Sequence, residues 1–94
     1  MLFVLFCEDK PDSQALRLAT RQAHLDYVGT LARSIRIAGP MLSDDGETML
    51  GSLFIIEAEN LAAAKALHAA DPYTGAGLWR NVVIRPFRQV VPQH

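Results

Sequence analysis

The chain has 94 residues, 50% of them hydrophobic and 20% charged, with a formal net charge of −1. This length suits one domain with one core, the apolar content excludes a disordered chain, and the scattered basic residues offer no electrostatic footprint for nucleic acid. A chain this small and this apolar is expected to hide part of its surface against another copy of itself.

Residues 2–7 read as a strand in which Phe3, Leu5 and Cys7 alternate with Leu2, Val4 and Phe6, so both faces are apolar and both need cover. The run ends at once in Glu8-Asp9-Lys10, too short and wrongly flanked for a signal peptide or a membrane span, and the expected location is cytoplasmic. Cys7 has no partner for an intrachain disulfide and reads as a small buried hydrophobe.

Asp9-Lys10-Pro11-Asp12-Ser13 reads as a turn with Asp12 or Ser13 as N-cap, followed by helical periodicity from residue 13 to about 34. Thr20-Arg21-Gln22 is a point where that helix could break. A short strand at 36–38 stops at Gly39-Pro40, and the acidic turn Asp44-Asp45-Gly46 leads into a longer strand at 49–57, forming a hairpin. Asn60 caps a helix over 61–70, which Asp71-Pro72 ends. Residues 74–77 form a loop, and 79–91 alternate as the last strand.

The order strand, helix, strand, strand, helix, strand predicts an α+β fold of ferredoxin-like βαββαβ type, a four-stranded antiparallel sheet with both helices on one side. The open sheet face would carry large apolar residues. Burying it favours two sheets packed face to face, so a homodimer through the sheet face is expected.

Wound at roughly 100° per residue, the first helix places Leu16, Ala19, Ala23, Tyr27, Leu31 and Ile35 on one broad face, with His24 inside it. An imidazole there points to the core or to a cleft. Asp71, closing the second helix, is a carboxylate that could answer it, and a His–Asp pair is the simplest acid–base unit available. Arg21, one turn before His24, is the nearest group to hold a developing oxyanion. Gly39 and Pro40 would shape a cleft wall by their backbone, and Tyr73 either packs or hydrogen-bonds a ligand. Ser52 has no obvious base in sequence, so a nucleophilic triad is not expected. His24, His68 and His94 are too far apart for metal-ligand spacing, and no cofactor is called for. His68 reads as edge packing, His94 as a loose terminus, and Arg80, Arg85 and Arg88 as rim or dimer-contact charges.

With these features in order, the chain resembles the YciI-like (YCII-related) family of small dimeric α+β barrel proteins over nearly its whole length. The resemblance rests on Met1-Leu2-Phe3-Val4, on Asp9-Lys10-Pro11-Asp12-Ser13, and on Arg17-Leu18-Ala19 with Arg21-Gln22-Ala23-His24-Leu25. Further along it rests on Ala38-Gly39-Pro40, Gly51-Ser52, Ala70-Asp71-Pro72-Tyr73 and Val83-Ile84-Arg85-Pro86-Phe87. It implies a ferredoxin-like protomer, a face-to-face dimer, and a cleft whose acid–base His and Asp correspond to His24 and Asp71. It also implies, by analogy with a dehydrochlorinase of a chlorinated hydroxyhydroquinone and with muconolactone isomerase, proton transfer on a small ring compound. Gln22 departs from the proline with which many relatives start this helix.

Two readings stay open at this level. In one, His24 and Asp71 are the catalytic pair of a cofactor-independent lyase or isomerase, with Arg21, Gly39, Pro40, Ser52 and Tyr73 binding a small-molecule substrate. In the other, the domain is a small-molecule-binding or partner-docking module, and the pair clips two helices together or anchors a ligand.

Overall fold

The computed structural model describes residues 1–93; the His94 expectation lies outside them. The chain runs through β1 (Leu2–Asp9), α1 (Gln14–Thr30), β2 (Ile35–Leu42), β3 (Met49–Glu57), α2 (Leu61–Ala69), α3 (Pro72–Gly75) and β4 (Trp79–Phe87). The strands form one antiparallel sheet in the order β2-β3-β1-β4, the ferredoxin-like arrangement expected from the sequence. Among the described residues no helix is long and apolar enough to cross a membrane.

Alternation along the strands decides where the core sits. Phe3, Leu5 and Cys7 pair across the ladder with Ile56, Phe54 and Ser52, and this face packs against Val28 of α1 and Ala64 and Leu67 of α2. Both helices therefore cover the same side. On the other side Phe6 lies in register with Leu53 and Val83, and Leu2 with Phe87, leaving an apolar face open.

Several boundaries differ from the sequence expectation. β1 runs two residues further, to Asp9, which carries a carboxylate into the site. α1 passes unbroken through Thr20-Arg21-Gln22, where Thr20 Oγ1 donates to Leu16 O and the Gln22 amide donates to Asp26, 2.9 Å each. It ends at Thr30 rather than near residue 34, because Gly29 and Thr30 are weak helix formers. Ser13 occupies the N-cap without a side-chain capping bond. β2 is longer than expected and continues through Gly39-Pro40; as an edge strand it tolerates a residue with no N–H. β4 stops at Phe87, not 91.

The face of α1 is also rotated from the expected stripe. Leu16 is 39% exposed and Leu18 52%, whereas Arg17 at 2% and His24 at 9% are its buried residues, with Tyr27 and Val28 half-buried beside them. A rule that sends charge outward misplaces this helix. Tyr27 then ties α1 to α2 by donating its hydroxyl to Leu67 O at 2.7 Å.

Candidate active site

Two buried polar pairs, each built from α1 and a neighbouring element, meet around Tyr73. The first begins at the end of β1. Asp9 accepts from Arg17 Nε at 2.7 Å and from Nη2 at 2.9 Å, a bidentate pair, and Nη2 also donates to Ser52 Oγ at 2.9 Å. Burial works against the Arg17 charge, but the hydrogen bond and charge of Asp9 outweigh it and hold the guanidinium above its ordinary value.

Gly51 makes this arrangement available. A Cβ there would sit 2.3 Å from the Cys7 carbonyl oxygen and 2.7 Å from Met41 Cε, so only glycine lets β3 lie this close to β1. The next residue, Ser52, then falls opposite Cys7 and beside Arg17. Cys7 itself is no nucleophile: burial, then the carboxylates of Asp71 and Asp9, push its thiol up to about 12 against the opposing charge of Arg17.

The second pair is His24 and Asp71, with Nδ1 and Oδ1 2.9 Å apart and both residues buried. Asp71 does not only end α2. It is the N-cap of α3, a one-turn helix with Pro72 at its start, and its Oδ1 accepts the Tyr73 N–H at 2.9 Å. Because Oδ1 meets His24 as an acceptor, Nδ1 is the donor, and in the neutral ring the lone pair is left on Nε2. The Tyr73 ring stacks on the imidazole at 4.1 Å between centroids with planes 17° apart, and Phe54 meets it edge-on at 6.0 Å. Arg17 Cζ lies 4.8 Å from the Tyr73 ring centre. Burial raises the Tyr73 phenol, and the charges of Arg17 and Arg21 oppose that shift.

These groups open onto a cleft of about 190 Å³. Of the residues expected at a site, His24, Arg21, Ser52 and Tyr73 line it on one side and Gly39 and Pro40 on the edge-strand side, with Asp71 directly behind His24. Arg21 stands exposed at this cleft and has no ion-pair partner among the described residues. His68 lies outside it, stacked on Trp79 and close to Thr74; burial lowers its value, with the Asp71 charge opposing. A wider hollow of about 620 Å³ at the other end of the sheet, between Met1, Arg36 and Phe87, gathers no acid–base pair.

Sequence reasoning missed Asp9 and Arg17. Asp9 read as part of a turn and Arg17 entered only as part of a family motif with no role of its own, yet Arg17 precedes His24 by seven residues, two helical turns on one face. That spacing was the available signal.

The YCII-related domain signature matches residues 1–88. The chain belongs to the YCII-related family. It is 40% identical to Protein YciI of Escherichia coli O6:H1 over 96% of this chain and 99% of that protein, and 38% identical to a protein of Haemophilus influenzae over the same shares. Among solved structures it is similar to TftG, the 5-chloro-2-hydroxyhydroquinone dehydrochlorinase of Burkholderia phenoliruptrix AC1100, in complex with 2,5-dihydroxybenzoquinone. That match has a TM-score of 0.89 and 32% identity over 96% of each chain. Rv0793 of Mycobacterium tuberculosis shares the fold alone, with a TM-score of 0.50 and 14% identity over 94% of this chain and 95% of that one. This fold is thus shared with a 5-chloro-2-hydroxyhydroquinone dehydrochlorinase.

Proposed function

We propose that this YCII-related protein is a cofactor-independent lyase or isomerase that moves a proton on a small hydroxylated ring. The observation that carries the reading is the 2.9 Å contact of His24 Nδ1 with Asp71 beside a cleft that His24 lines. His24 Nε2 takes a proton from a ring O–H or from a C–H next to a carbonyl. Asp71 holds the tautomer and stabilises the imidazolium, and the stacked Tyr73 face adds to that stabilisation. Arg21, with no carboxylate of its own, pairs with the oxyanion that develops, while Gly39 and Pro40 form the wall. In a dehydrochlorination the electron pair left by the proton forms the new double bond as chloride departs with the C–Cl pair. The dehydrochlorinase activity of TftG supports this class of chemistry.

The same reading places two protomers sheet to sheet as a dimeric α+β barrel, supported by the open apolar face around Phe6. It includes a cytoplasmic location, in keeping with a buried, unpaired Cys7.

Incubation with 5-chloro-2-hydroxyhydroquinone, followed by a chloride-selective electrode, tests the reaction. Chloride release that His24→Gln abolishes is the expected result. A ring compound that raises the melting temperature but is never turned over would replace the enzyme with a small-molecule-binding module.

A further inference from the structure

Ser52 is held in a way that leaves it one job. A serine hydroxyl has one proton and two lone pairs. One lone pair is taken by Arg17 Nη2 at 2.9 Å, and that guanidinium cannot turn away because Asp9 grips it at Nε and at Nη2. Ser52 is 4% exposed and Arg17 is 2% exposed, so this is a buried contact and not a surface encounter. The hydroxyl proton has no acceptor among the described residues, and the open side of the residue is the cleft. Among the described residues no base bonds Ser52 either, since its polar partner is a guanidinium, which holds its protons.

We propose that Asp9, Arg17 and Ser52 form the oxyanion-binding arm of the cleft, in which the Ser52 hydroxyl donates to an ionised ring oxygen of the ligand. This rests on the proton-transfer reading above and names the ligand class for it: a ring bearing an acidic hydroxyl, bound as phenolate or enolate. Ser52 touches the ligand, whereas Arg17 and Asp9 are positioning residues. The cation donating to Ser52 Oγ polarises the O–H bond and makes it a stronger donor than a free hydroxyl. Asp9 fixes the guanidinium, which itself lines the cleft, so that Nη2 holds Ser52. Among the groups the cleft offers are the Ser52 proton and the Arg21 charge for an oxyanion, and His24 Nε2 for the proton being moved. A ring with two oxygens, one ionised and one still carrying its proton, matches that set.

The test titrates 2,5-dihydroxybenzoquinone, a coloured ring acid, into the wild-type protein, Ser52→Ala and Ser52→Thr, with circular dichroism and thermal melts as fold controls. A hydrogen bond to the ring oxyanion shifts the absorption band of the bound dye. The expected result is that Ser52→Ala weakens binding roughly tenfold and returns the bound band toward that of free dye, while Ser52→Thr keeps both affinity and shift. Unchanged affinity in Ser52→Ala, or weaker binding with an unchanged band, overturns the donor role and leaves the His24 reading standing. Failure of the wild-type protein to bind the dye at millimolar concentration overturns the ligand class and the proposal with it. The His24 reading is then judged by chloride release alone.

Discussion

Tyr73 and His24 lie face to face, 4.1 Å between ring centroids, and the backbone N–H of Tyr73 and the Nδ1 of His24 both bond to the same Asp71 oxygen. One carboxylate thus sets the start of α3, the tautomer of the imidazole and the ring that stacks on it. Asp71→Asn is the informative substitution, since asparagine caps a helix as well as aspartate does and the fold is retained. The expected outcome is an upfield move of the downfield Nδ1–H proton resonance of His24, because the amide oxygen that caps Tyr73 still accepts from Nδ1 but carries no charge, and a fall in turnover of about 10²-fold or more, with a near-native melt. An Nδ1–H resonance unmoved in Asp71→Asn would contradict the assigned contact.

Asp9 and Arg17 are buried at 5% and 3% side-chain exposure and satisfy each other bidentately. Removing one partner strands a charge in the interior, so Asp9→Ala should cost about 3–5 kcal/mol in urea unfolding. The double variant Asp9→Leu with Arg17→Met removes both charges and should recover most of that loss, because the pair itself offsets a large desolvation cost. Equal losses in single and double variants would show that packing, not charge, holds this corner.

The burial of Arg17 also marks where sequence reasoning stops. The strand and helix order, the N-cap at Asn60, and the two-sided apolar character of β1 were legible because alternation and capping are local signals. Arg17 was not, because a guanidinium goes inside only when a partner waits there, and that partner, Asp9, becomes a strand residue through pairing with Trp79 across the sheet. Gly51 likewise gives no local sign that β1 is too close for any side chain. The one-turn α3 was hidden because Asp-Pro reads equally well as the end of one helix and the start of the next.

His68 gives a pH dependence of known sign. Its folded value lies below its ordinary 6.5, chiefly through burial, so the unfolded chain binds a proton more readily than the folded one. The stability tied to neutral His68 is fully present above the unfolded value and is lost as pH falls through the folded value. Melts of wild type and His68→Gln between about pH 7.5 and about pH 5 should diverge, with wild type losing more on acidification. Parallel curves would show that His68 titrates alike in both states.

Phe6 sits at the centre of the open sheet face, in register with Leu53 on one side and Val83 on the other, and is 38% exposed in the isolated protomer. A phenyl ring flanked by a leucine and a valine on a flat apolar surface gains most when a second such surface removes all three from water. Sedimentation at micromolar concentration should therefore give a dimer, and Phe6→Glu, which places a carboxylate at the centre of the contact, should give a folded monomer with unchanged circular dichroism. The helix-side core that contains Phe3, Leu5 and Cys7 faces away from this substitution, so unfolding is not the expected consequence. A wild-type protein that sediments as a monomer, or a Phe6→Glu variant that remains dimeric, would move the interface off the sheet face and require another explanation for its exposed apolar side chains.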